Sequence, residues 1–349
     1  VGLTFPVVTL IMAVTALFGV GGVPLFSIER GAGNEEKAGR ILGNAFALLL
    51  TSSLLLMAVG YFFMKPILFA FGASERSYVY ANQYLQIYLL GTAFSMLATG
   101  LNGFINAQGF PRVGMVTVLL GAVLNVVLDP IFIFGLDMGV AGASLATAIS
   151  KAVSFVILIF PYITRRSMLH LSVKNIRYSW DIISNVVSVG SSSMFRSGLA
   201  VVSAILLNSI AGNISDSVLA AVGVCNKVMM FPFSIILGFG TGFQPVAGFN
   251  YGAKRFDRVH ESYRFCSKVA LIGSIIMALA VGFFADTFVV LFAGSDAEMR
   301  RIGVICMISQ CIALPVHAWV AIVNMLCAGL GDAKGALALS TARQGSCFI

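Results

Sequence analysis

Apolar stretches of about 20 residues or more recur along this chain, and they limit its fold more than any other feature of the sequence. Each is long enough to cross a hydrocarbon core of roughly 30 Å as a helix, a form that satisfies its own backbone hydrogen bonds in lipid. Spans are expected at Val1 to Ser27, Ala38 to Met64, Val79 to Ala107, Val113 to Gly135 and Val140 to Thr164. Four more follow at Ile183 to Ala211, Leu219 to Phe249, Phe265 to Phe292 and Ile302 to Ala328, and a tenth begins near Gly335. With 58% hydrophobic and 10% charged residues, and a mean hydropathy of +0.95, a soluble domain could not cover this much apolar surface. The expected class is an all-α polytopic membrane protein. Its connections are short, so any chemistry belongs in or beside the bilayer.

A net charge of +8 over 349 residues raises the question of nucleic acid, but the distribution of charge points elsewhere. Loops after the odd spans hold fourteen of the 22 basic residues, among them Arg30, Lys37, Arg40, Arg165, Arg166, Lys174, Arg177, Lys254, Arg255, Arg258, Arg264 and Lys268. Loops after the even spans hold Lys65, Arg76, Arg300 and Arg301. By the positive-inside rule the odd loops are cytoplasmic and Val1 lies near the outer face. There is no initiator Met and no signal-peptide n-region, so both ends are expected to be truncated, with a helix missing upstream. The six cysteines fall almost entirely within spans, without the spacing of a metal or redox site, and are expected to be small apolar filler. An embedded enzyme would need paired carboxylates, a histidine cluster or a nucleophile with its base at membrane depth. None is present: His170, His260 and His317 are scattered. A single asymmetric carboxylate does not make the ring or filter of a channel.

A repeat lies within the chain. "GVGGVPLFSIERGAGNEEKA" near the start is matched downstream by "GFGTGFQPVAGFNYGAKRFDRV". An offset of 221 pairs Gly19 with Gly240, Pro24 with Pro245, Gly31 with Gly252 and Lys37 with Arg258. One further residue pairs Asn102 with Asn324, Gly109 with Gly331 and Arg112 with Lys334. The period holds six spans, an even number, so both halves enter the membrane from the same side. That is a parallel repeat, related by an axis along the membrane normal, and such repeats usually build transporters whose lobes rock around a central cavity.

The stretch "NGFINAQGFPRVGMVTVLLGAVLNVVLDPIFIFGLDMGVAGASLATAIS", with "GFQPVAGFNYGAKR" in the second half, closely resembles the multidrug and toxic compound extrusion (MATE) family. The resemblance covers essentially the whole chain. It implies a secondary transporter of two homologous six-helix lobes, with residues 1–175 carrying family helices two to six and residues 176–349 carrying helices seven to part of eleven. It further implies export of small organic compounds, often cationic or amphipathic, in exchange for sodium or protons. The expected setting is the plasma membrane, as a monomer with no cofactor beyond the coupling ion, no metal centre and no nucleic-acid partner. Lipid-linked oligosaccharide flippases share the architecture but not these motifs so closely.

Asp129, inside the apolar run "LNVVLDPIFIFG", is the first candidate for the site, because a carboxylate at membrane depth is costly unless paired, hydrated or protonated. Asn125 lies four residues before it and shares its helix face. Pro130 lacks an amide hydrogen and so frees the Val126 carbonyl. Amide, carboxylate and carbonyl are hard oxygen ligands, and the resemblance implies that Asn125, Asp129 and Thr147 form the cation site of the first lobe, with a further acidic partner on the family's first helix. The alternative is that Asp129 caps or kinks a helix near the outer surface. Lys151 stands one turn beyond Thr147: either it pairs with Asp129, which puts sodium coupling in doubt, or it is an isolated polar contact. Arg196, Lys227 and Gln310 are candidates for the substrate cavity, with snorkelling the alternative for the two cations. His317 reads as a packing residue and Asp286 as solvated near the outer end of its span.

Overall fold

A computed structural model describes residues 4–71, 74–164, 179–293 and 296–342. Among them there is no strand, and nine helices are long and apolar enough to cross a membrane. The first part runs α1 (Phe5–Gly31, with a π-helical turn at Ala16–Val20), α2 (Glu35–Phe62), a short α3 (Met64–Ala70), α4 (Glu75–Ala107), α5 (Pro111–Gly135) and α6 (Gly139–Ile163). The second runs α7 (Trp180–Ile214), α8 (Asp216–Gly252), α9 (Phe256–Phe283), a short α10 (Ala285–Ala293), α11 (Ala297–Gly329) and α12 (Ala333–Thr341). Arg165, Arg166, His170, Lys174, Arg177, Ser295, Arg343 and Cys347 lie outside the described residues.

The eighth span differs from the expected Phe265 to Phe292. It starts at Phe256 and ends at Phe283, and α10 is a separate helix. Arg258, Arg264 and Lys268 therefore ride on the first turns of α9 rather than in a loop, as Lys37 and Arg40 do on α2. Hydropathy alone misplaces this start because the polar turns "FDRVHESYR" are as helical as the apolar ones that follow. Asp286 likewise leaves its span: it sits in the first turn of α10, exposed, and forms a two-pronged ion pair with Arg300 at 2.7 and 2.8 Å. That hydrogen-bonded guanidinium holds the Asp286 carboxyl below its ordinary range.

Helix starts follow from local chemistry. Ser74 accepts the Ser77 amide and Ser77 returns the bond, a capping box that begins α4. Pro111 opens α5, where its fixed φ suits the first turn and its missing amide hydrogen costs nothing. Asp296 caps α11 through the Met299 amide at 3.0 Å and also accepts the Ser217 hydroxyl at 2.6 Å. Those two bonds, the Ser217 bond foremost, lower its pKa.

By packing, the chain divides into Val1–Met194 and Phe195–Ile349. The family resemblance places the lobe boundary at 175/176. The packing boundary falls within α7 because Ile182 and Val186, near the start of that helix, join the same buried cluster as residues of α1, α2 and α4. At the centre of that cluster Phe26 meets Phe104 edge to face, centroids 5.4 Å apart and both fully buried. The second unit has its own core, in which Met229 and Met307 pack with Ala221, Val289 and Ala318. Large apolar side chains also cover the outside, with Phe62 85% and Phe283 83% exposed. These are faces for lipid, since a bilayer solvates them as well as a core would.

Each unit repeats the same devices. The short helices begin at Met64 and at Ala285, an offset of 221. Gly33 and Lys254, equivalent by the same offset, both take a left-handed backbone, as do Gly109 and Gly331 at an offset of 222. In the first unit Asn102 donates to the Gly114 carbonyl at 2.9 Å and to Thr117 Oγ1 at 3.0 Å, clamping the α4–α5 turn. In the second, Asn324 donates to the Ala336 carbonyl at 2.8 Å and to Ser340 Oγ at 3.0 Å.

Candidate functional site

In the first unit α4, α5 and α6 carry a chain of polar side chains between small residues. Asn106 donates to Asn102 at 3.1 Å, and Thr117 returns a hydrogen bond to the Gly114 carbonyl at 2.7 Å. Ser154 Oγ of α6 reaches the Thr117 carbonyl at 3.1 Å. Beside this chain opens a cavity of about 350 Å³, the size of a small-molecule site, whose lining includes Asn102, Thr117, Asn125, Thr147, Ser150 and Lys151.

Further along α5, Asn125 and Asp129 stack one turn apart. Asn125 Nδ2 lies 3.4 Å from Asp129 Oδ1 and 3.4 Å from Thr147 Oγ1, so one amide stands between the carboxylate and the hydroxyl of the next helix. The structure thus brings together the three side chains that the sequence singled out. Thr147 in turn donates to the Ala143 carbonyl at 3.0 Å, so that beside the Asn125 contact its oxygen keeps one lone pair for an incoming donor or cation. Immediately after Pro130 the helix widens into a π turn, Ile131–Gly135. Such turns often mark functional sites, and here it follows the residue that cannot donate a backbone hydrogen bond.

Tyr84 of α4 is a further member that the sequence reading passed over. It lies within electrostatic reach of Asp129, stacks on Tyr88 with centroids 5.9 Å apart, and is held through its carbonyl by Ser144 Oγ at 2.8 Å. The aromatic pair four residues apart in "YLQIY" was the available signal.

Lys151 lines the cavity but forms no ion pair with Asp129. Among the described residues the ion pairs are Glu29 with Lys37, Glu36 with Arg40, and Asp286 with Arg300. The other candidates have separate surroundings in the second unit. Arg196 lines a small cavity with Val320, Ala321 and Asn324, Gln310 donates to Cys306 Sγ at 3.6 Å, and Lys227 is exposed on α8. His317 packs edge-on against Phe233, centroids 5.4 Å apart. Cys225 is buried and donates to the Gly303 carbonyl at 3.2 Å.

Residues 1–131 and 193–347 match the MatE family. The chain belongs to that family. Its relatives include the multidrug export protein MepA of Staphylococcus haemolyticus (strain JCSC1435), 28% identical over 294 residues, 84% of this chain and 63% of the relative. MepA of Staphylococcus aureus (strain NCTC 8325 / PS 47) is 28% identical over 255 residues, 73% of this chain and 56% of the relative. The chain therefore spans less than two thirds of the length of these curated relatives. Among solved structures, a MATE protein in the straight conformation superposes with a TM-score of 0.90 at 24% identity, covering 99% of this chain and 77% of that one. The Vibrio cholerae MATE transporter VcmN in the bent form does so with a TM-score of 0.90 at 22% identity, covering 98% and 77%. These two likenesses are of fold.

Proposed function

We propose that the protein is a secondary active antiporter that exports small organic compounds through the plasma membrane in exchange for sodium or protons, with Asn125, Asp129 and Thr147 as the ion site. The observation that carries the proposal is the meeting of those three side chains, across two helices, beside the cavity of a MatE-family chain. The Asp129 carboxylate and Thr147 hydroxyl oxygens suit a hard monovalent cation, which the Asn125 amide would join by turning its oxygen in place of the Nδ2 that now faces them, and the carboxylate alone suits a proton. An ion bound there in one orientation and released in the other would tie its gradient to movement of the substrate. That its relatives are multidrug export proteins supports the export reading. The basic residues after the odd spans support cytoplasmic odd loops and an outward start of the chain. The proposal takes the monomer as the transporting unit.

The experiment is ion-gradient-driven efflux of ethidium from vesicles carrying the wild-type protein or Asp129→Asn. The substitution keeps the shape and removes the charge. Efflux is expected to fall about tenfold or more, equivalent to about 1.4 kcal/mol in the coupled step, while ethidium binding weakens less. Unchanged gradient-dependent efflux, at normal membrane expression, would make the carboxylate structural.

A further inference from the structure

The cavity of the first unit has a one-sided polarity. Its lining contains one formal charge, the Lys151 ammonium, and no carboxylate. None of the ion pairs among the described residues involves Lys151, and Asp129, the nearby acid on α5, is bonded instead to Asn125. Ser150, the residue before Lys151, also lines the cavity; it is 2% exposed, and its hydroxyl has no hydrogen-bond partner. The buried Ser150 hydroxyl is an unsatisfied donor that calls for a partner, and the partly buried Lys151 ammonium stands beside it in a lining that holds no carboxylate. Around them the wall turns apolar at Ala98, Val118, Gly121 and Ala122.

We infer that this cavity binds amphipathic organic anions, with a carboxylate or similar acid group held by Lys151 and the Ser150 hydroxyl and the apolar body against α4 and α5. The inference names a substrate class for the cavity, and to that extent it rests on the proposed transport function. The acid accepts from the ammonium and the hydroxyl, a charge-assisted pair stronger than neutral hydrogen bonds. A cavity of about 350 Å³ accommodates a bicyclic aromatic acid. A cationic compound would instead bring its charge against Lys151 with no lining carboxylate to offset the repulsion.

The test compares equilibrium binding of 2-naphthoate and its neutral isostere 2-naphthamide to the purified protein, corrected for partition into empty micelles. Wild type is expected to prefer the carboxylate by about tenfold, the range of one charged hydrogen-bonded contact. Lys151→Gln is expected to abolish the preference and Lys151→Arg to retain it. Ser150→Ala is expected to weaken naphthoate by about threefold and leave naphthamide unchanged. Equal binding of the two probes by wild type overturns the inference without recourse to any variant. So does a preference that survives in monodisperse Lys151→Gln. Gradient-driven efflux of ethidium and of 2-naphthoate from vesicles of the same preparations separates the two readings: ethidium efflux without carboxylate preference sinks this inference alone, and carboxylate preference without gradient-driven efflux of either compound sinks the antiporter alone.

Discussion

Lys254 carries a backbone that side chains avoid. Its φ of +57° is left-handed, a conformation that costs a non-glycine residue about 1–2 kcal/mol. Its counterpart in the first unit is Gly33, at φ +81°, with no atom within 4 Å of where a Cβ would stand. The two positions are the same turn written with and without a side chain, so the strain is conformational rather than steric. Lys254→Gly is expected to stabilise the protein by about 1 kcal/mol, and Gly33→Ala to destabilise it by a similar amount. Apparent melting temperature in detergent reads both; a stabilised Gly33→Ala would refute the account. The turn was visible in the aligned repeat, but the residue that strains it was not, since a lysine in a basic loop looks ordinary in sequence.

At the scale of elements, the proposed ion site depends on how closely α5 and α6 approach. Gly142 of α6 sits against the π turn of α5, where an added Cβ would lie 2.7 Å from the Phe132 carbonyl carbon. Backbone cannot yield as a flexible side chain does, so the two helices would separate. Asn125 and Asp129 stand on one of them and Thr147 on the other. Gly142→Ala is therefore expected to cost about 1–3 kcal/mol and to lower gradient-driven efflux together with stability. Gly223, on α8, has nothing within 4 Å, and Gly223→Ala should be neutral or stabilising by up to about 1 kcal/mol from helix propensity. Equal melting temperatures for the two alanine variants would show that the α5–α6 approach is not tight.

For the whole molecule, charge distribution decides orientation more than packing does. The basic residues Lys37 and Arg40 follow the first span, and Lys254, Arg255 and Arg258 follow the seventh, so those turns should stay in the cytoplasm. Cysteines introduced at Gly33 or Lys254 should be protected from an impermeant thiol reagent in intact cells. Cysteines at Ser74 or Ser215, which cap α4 and α8 at the opposite ends, should be labelled. The native cysteines Cys225, Cys266 and Cys311 are buried, and the partly exposed Cys306 and Cys327, with Cys347, are replaced by serine before labelling. The reverse labelling pattern would overturn the orientation and, with it, the outward start of the chain.

Span number, helical class and the internal repeat were legible in the sequence, because in lipid a long apolar segment has few alternatives to a helix and a duplicated turn keeps its glycines. Asn125 and Asp129 were legible together for the same local reason, being one helical turn apart. Thr147 entered through a resemblance, and its place 3.4 Å from the Asn125 amide is a fact of packing between two helices. The start of the eighth span, the separate helix at Ala285 and the Asp286–Arg300 pair depend on where a helix bends and what faces it, which hydropathy does not encode. Lys151 shows the division most clearly. Its charge and helical spacing were visible in the sequence, and both allowed a pair with Asp129. The tertiary arrangement instead lines a carboxylate-free cavity with it, because whether two charges meet depends on the three-dimensional placement of α5 against α6.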